Sequence, residues 1–172
     1  MRLMLAATLA FVLAGPLAAL KFDAPPQWVS KAPSSSMRVA EFALPKVAGD
    51  AEDATLTIFF FGATQGGNVQ ANIDRWIGQM SQPDGRASKD VAKTSSLTSH
   101  GLKISMVDVA GTYVAEVSPG STEHFNKPNF RQRAGYIDTP GGPYFVKLVG
   151  PEKTVAKWND SVDAFLKTLR YE

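Results

Sequence analysis

The stretch from Ala54 to Met80, ATLTIFFFGATQGGNVQANIDRWIGQM, constrains the fold of this chain more than any other. Thr55 to Phe61 is β-branched and aromatic, with neither charge nor proline, which fits a strand buried on both faces near the middle of a sheet. Gly62, Gly66 and Gly67 break it. From Asn68 the period becomes helical, with Val69, Ile73, Trp76, Ile77 and Met80 inside one arc at about 100° per residue. Strand, glycine loop and helix therefore follow one another, and the apolar arc must face a core.

The chain before this unit reads as a leader followed by an extended arm. Residues 1–19 carry Arg2, an apolar run and small residues before Lys21, the layout of a secretory signal peptide with cleavage after Ala19. Residues 20–36 hold Pro25, Pro26, Pro33 and three serines around one large residue, Trp28, and should run extended with the indole anchoring them. Residues 37–172 then form a single α+β domain. Its first strand is Met37 to Leu44, which alternates and joins the central strand through the loop Pro45 to Asp53.

After the helix, Gln82 to Ser99 reads as a polar connection. Leu102 to Tyr113 returns to strand character, with Ile104 and Met106 opposed to Val107 and Val109. Val114 to Asn129 reads mostly as loop. Arg131 to Asp138 and Tyr144 to Val149 form a hairpin across Thr139-Pro-Gly-Gly-Pro143. Gly150-Pro151 then opens one amphipathic helix of about five turns carrying Val155, Trp158, Val162, Phe165, Leu166 and Leu169. The expected architecture is an antiparallel β-sheet with helices packed on both faces.

Composition removes several function classes. The absence of cysteine excludes disulfides, thiolate metal sites, a cysteine nucleophile and a lipidated cysteine. The 18 Lys and Arg nearly balance the 16 Asp and Glu, so bulk attraction to nucleic acid or anionic membrane is not supported. No apolar run after the leader is long enough to span a bilayer, which places the expected product in the periplasm or outside the cell.

The early tryptophan, the segments FFFG, GG, NIDRW and YFVKLVGP, and the terminal amphipathic helix resemble an uncharacterised family of secreted bacterial proteins. The order of elements is similar to the PsbP-like fold of a photosystem II extrinsic protein and a Ran-binding protein, an α-β-α sandwich. The resemblance implies binding of other proteins and no shared catalytic centre. It assigns no site residue.

Candidate site residues come from the pattern instead. The glycine loop could hold an anion at the helix start, but it lacks the Lys-Ser/Thr of a P-loop and the spacing of a dinucleotide fingerprint. The plainer reading is a tight turn with Asn68 as the helix cap. Asn68, Asn72, Arg75 and Gln79 form a polar stripe beside the apolar arc. There Asn72 and Arg75 either clamp neighbouring backbone or read a ligand. Arg131, Arg133 and Lys147 are expected on one sheet face, where they could bind a carboxylate or phosphate.

His100 and His124 lie in polar loops with no reason to converge, so no metal site is expected, and no cofactor motif is present. There is no Gly-x-Ser-x-Gly elbow and no definable carboxylate pair. Two functions remain in front. One is an extracytoplasmic accessory module binding an envelope or secreted protein through the loop 118–129 and the sheet surface near the Gly141-Gly142 hairpin, with Phe125, Phe130 and Tyr136 as the candidates for an exposed aromatic patch. The other is a small-ligand or anion binder at residues 62–68 and the Asn72/Arg75 stripe. A small hydrolase is the weakest of three.

Overall fold

The computed structural model describes residues 18–172, so the leader lies outside the described residues. The strand expected at Thr55 to Phe61 forms as β4 (Ala54–Phe60) inside the main sheet. Burial of both faces is the expectation, but only the face of Leu56 and Ile58 is fully buried, since Thr55 is exposed and Phe59 half-buried on the other. Its partners are β3 (Arg38–Leu44) on one side and β9 (Tyr144–Pro151) on the other, both antiparallel. Beyond β9 come β8 (Lys127–Ile137) and β7 (Leu102–Tyr113). The far edge of β7 is shared by two strands, β5 (Met80–Ser81) and β6 (Lys93–Ser99).

The arm before β3 joins the sheet. Its strand β2 (Val29–Lys31) pairs with β3, while β1 (Leu20–Lys21) pairs with the last strand, β10 (Arg170–Tyr171), in a separate ribbon. Trp28 is buried as expected, its ring against Phe42 and Phe165. Short strands such as these carry too little pattern to show in sequence. They form because neighbouring strands leave N–H and C=O groups that need partners.

Three short α-helices, α1 (Val69–Gly78), α2 (Glu152–Lys157) and α3 (Asn159–Leu166), and one 3-10 turn (Ser88–Asp90) complete the described residues. The expected sandwich, with helices packed on both faces of the sheet, is therefore corrected. The protein is predominantly β, with one eight-stranded antiparallel sheet and too little helix to form covering layers. α1 lies mainly against β7 and β8, with Trp76 reaching Phe145 of β9, and the same face of the sheet is open over β3 and β4, where Arg38, Thr55, Thr57 and Phe59 line a cleft.

Two local differences separate the expectation from the structure: a strand stands where a polar connection is expected, and the terminal helix is not continuous. The polar segment KTSSLTS is a strand, β6, mostly exposed and turned back onto β7 by His100 and Gly101, both at positive φ. Apolar alternation cannot reveal a strand that buries neither face. The terminal helix is also interrupted. Trp158 sits between α2 and α3, and its indole N–H donates to Pro45 O at 2.9 Å. The expected five-turn helix is therefore two short ones that meet at Trp158.

The core has two parts. The larger gathers Phe42, Leu44, Leu56, Ile58, Ile104, Val146 and Leu148 under Val155, Val162, Phe165 and Leu166. A smaller cluster on the opposite face joins Ile73 and Trp76 of α1 to Val107, Ala134 and Phe145. Among the described residues no helix is long and apolar enough to cross a membrane.

Candidate functional site, a basic and aromatic cleft on the open sheet face

The glycine loop and the helix start are occupied by their own structure. Gly62, Gly66 and Gly67 all have positive φ, and a Cβ on Gly66 would run into the Phe145 ring. Asn68 caps α1, its Oδ1 accepting the Ala71 N–H at 2.9 Å. Asn72 is 1% exposed. Its amide donates to Gly66 O at 2.7 Å and Asn68 O at 2.8 Å, and its Oδ1 accepts from Arg75 Nη2 at 2.6 Å. With both amide hydrogens and the oxygen engaged, Asn72 acts as a backbone clamp and keeps no donor for a ligand.

The expected trio of cations is separated by the pleat. Arg133 stands opposite Leu148, whereas Lys147 stands opposite Ala134, so Lys147 is on the other face from Arg131 and Arg133. Alternation makes this unavoidable once the register is known. Arg131 makes a two-pronged contact with Asp108, at 2.7 and 2.5 Å. That hydrogen-bonded carboxylate raises the Arg131 pKa. Arg133 reaches Asp163 at 2.5 Å and Asn159 Oδ1 at 3.2 Å. Both arginines tie β8 to its neighbours and are already neutralised.

Lys147 differs. It projects from β9 onto the open face, beside Thr57 of β4, into a cleft of about 260 Å³. One wall is aromatic: Phe125 stacks on Tyr113 with centroids 5.5 Å apart, and Phe130 lies nearly parallel to Tyr113 at 6.4 Å. Phe125 is only half-buried, but Phe130 is buried. The exposed aromatic patch expected for a protein-binding surface is thus folded into this wall, and Tyr136 packs edge-on against Phe145 instead.

The opposite wall comes from β3 and β4. A register shift between Arg38 and Ala40 turns Arg38 onto the open face opposite Phe59, where its guanidinium lies 5.4 Å from the ring centroid. Plain alternation put Arg38 with Ala40 and Phe42, so the bulge is what carries it here. Arg38 also pairs with Glu41 at 2.9 Å. At the rim, Lys127 pairs with Glu52 at 2.7 Å and lies 5.3 Å from the Phe125 and Phe130 centroids.

The Lys147 amine has only uncharged acceptors. Nζ donates to Gln79 Oε1 at 2.7 Å and to Tyr113 Oη at 3.0 Å, and stands 5.2 Å from the Tyr113 ring centroid. Among the described residues it has no carboxylate within ion-pair distance, unlike Arg38, Lys127, Arg131 and Arg133. Burial lowers its pKa to about 8, aided by like charge from Arg75 and Arg38. Burial likewise raises the Tyr113 phenol. The site thus offers a desolvated cation, a hydroxyl and an aromatic wall in one concavity, with the carboxylates Glu52 and Asp53 also on its lining and Glu52 paired to Lys127.

Sequence reading missed Tyr113, Arg38 and Lys127 as members of the site. One signal was legible: Lys147 is the lone charge in the apolar strand YFVKLVGP. His100 and His124 remain apart, their Nδ1 atoms within hydrogen-bond distance of Leu169 O and Val114 O. Among the described residues no cluster of His, Asp and Glu could hold a metal.

No protein-family model matches this chain, and no curated protein matches it significantly. Among solved structures it is similar to the crystal structure of a Pseudomonas aeruginosa protein of unknown function, proposed to be a regulator. The two share 15% identity at a TM-score of 0.46, over 76% of this chain and 80% of that one. A likeness that loose carries no argument about role, and it does not bear on the PsbP-like resemblance.

Proposed function

We propose that this chain is an exported, non-catalytic binding module that takes a small anionic ligand with a flat apolar body in the cleft beneath Lys147. The observation that carries the reading is the Lys147 ammonium, buried against neutral partners beside the Phe125, Tyr113 and Phe130 rings. A carboxylate there would supply the missing counter-charge, and a planar ring would stack on the wall. Export rests on the leader-like residues 1–19. The glycine loop and Asn72 support the cleft by fixing α1 and Gln79, rather than by touching the ligand.

Calorimetric titration with benzoate, and with neutral benzamide as its isostere, tests this. Benzoate should bind at least tenfold more tightly, about 1.4 kcal/mol, and Lys147→Met should remove that preference. Equal affinity for the two probes, or a preference untouched in the Met variant, would overturn the reading.

A further inference from the structure

An amine held without a carboxylate can do more than pair with an anion. Lys147 Nζ lies 3.0 Å from the Tyr113 hydroxyl and opens onto a cleft large enough for a small molecule. Arg38 and Arg75 add positive charge around it, which disfavours the ammonium form. With the amine titrating near 8, roughly one molecule in ten carries it free at pH 7. The neighbouring phenol is raised by burial and so keeps its proton in that range. A free amine, a proton donor in contact and a water-poor aromatic wall are what addition to a carbonyl requires.

We propose that Lys147 captures small aromatic aldehydes as a reversible imine, with Tyr113 passing the proton. The inference rests on the cleft reading above. The Nζ lone pair attacks the carbonyl carbon, a C–N bond forms, and the opening C=O bond takes a proton from Tyr113 Oη, giving a carbinolamine. One N–H proton returns to the phenolate. The carbinolamine hydroxyl then leaves as water, protonated again by Tyr113, while the nitrogen gives up its second hydrogen to the phenolate. The net change is amine plus aldehyde to imine plus water, with nothing oxidised or reduced.

Trapping with 4-carboxybenzaldehyde and cyanoborohydride, followed by peptide mapping, tests the capture on the unmodified protein. The expected result is a dominant adduct on Lys147, formed at least tenfold faster than on any exposed lysine, with a labelling rate that rises through about pH 8. Tyr113→Phe should slow labelling at least fivefold while the rise through about pH 8 persists, because burial, Arg75 and Arg38 set the amine's titration. Adducts spread over the exposed lysines, or a Lys147 rate that climbs only near the ordinary lysine value of about 10.4, would overturn the inference. Benzoate titration of the same sample separates the failures. Benzoate binding without a Lys147 adduct sinks the imine alone, whereas loss of both sinks the cleft reading too.

Discussion

Replacing Lys147 by Met isolates the cost of burying one amine, and that cost has a pH signature. The folded-state pKa is about 8 against an ordinary 10.5, lowered first by burial and then by Arg75 and Arg38. At pH 7 the amine is protonated whether the chain is folded or not, so wild type bears the whole penalty. Its size is about 3 kcal/mol at roughly 1.4 kcal/mol per pH unit of depression. Between about 8 and 10.5 the unfolded chain binds more protons than the folded one, so this group makes stability rise with pH.

Integrating that difference gives a gain of about 2 kcal/mol between pH 7 and pH 9.5 in wild type. The Met variant lacks it. At pH 7 the variant escapes the penalty but leaves Gln79 Oε1 and Tyr113 Oη without their donor, at about 1 kcal/mol each. It should therefore be more stable than wild type by about 1 kcal/mol at pH 7, and the order should reverse by pH 9.5. Stopping there avoids the ionisation of Tyr113, whose raised pKa would lower stability above about 10. Urea unfolding followed by tryptophan fluorescence gives both curves. Wild-type and variant stabilities running parallel within about 0.5 kcal/mol across that range would refute the account of Lys147 as a buried, unpaired cation.

Two further substitutions test the scaffold that holds the cleft. Asn72→Ala removes a clamp that is 1% exposed and strands the Gly66 carbonyl and the Arg75 guanidinium, while Asn68 O keeps only the residue 72 backbone N–H. It should cost about 2–3 kcal/mol in denaturant unfolding, and unchanged stability would dissolve the clamp. Gly66→Ala combines φ +99° with a Cβ overlapping the Phe145 ring and should cost about 2–4 kcal/mol. Gly85→Ala, at φ +77° but with open space around it, should cost only about 1 kcal/mol, and equal losses at the two sites would deny the steric part.

How far the sequence carried varied from element to element. The central strand and the first helix were legible because each buries one long, regular apolar pattern. The Asn68 cap and the glycine turn were legible because their signals are local: a side chain three residues from its partner, and residues free to take positive φ. β6 was not legible, since Lys93 to Ser99 buries almost nothing. Nor was the break at Trp158, a residue whose apolar spacing continues that of the helix and whose indole partner lies 113 residues away.

The sequence by itself determined that a hydrophobic strand–turn–helix unit lies at the centre, that no cysteine chemistry exists, and that one lysine stands alone among apolar neighbours in YFVKLVGP. Tertiary structure alone decided what that lysine faces. Pairing Ala134 with Lys147 sent it to the face opposite Arg131 and Arg133, and a one-residue shift in β3 brought Arg38 to join it. The loop after β7 folded Phe125 against Tyr113. Side chains alternate along a strand, so one residue of register decides the face, and register is fixed by partners distant in sequence.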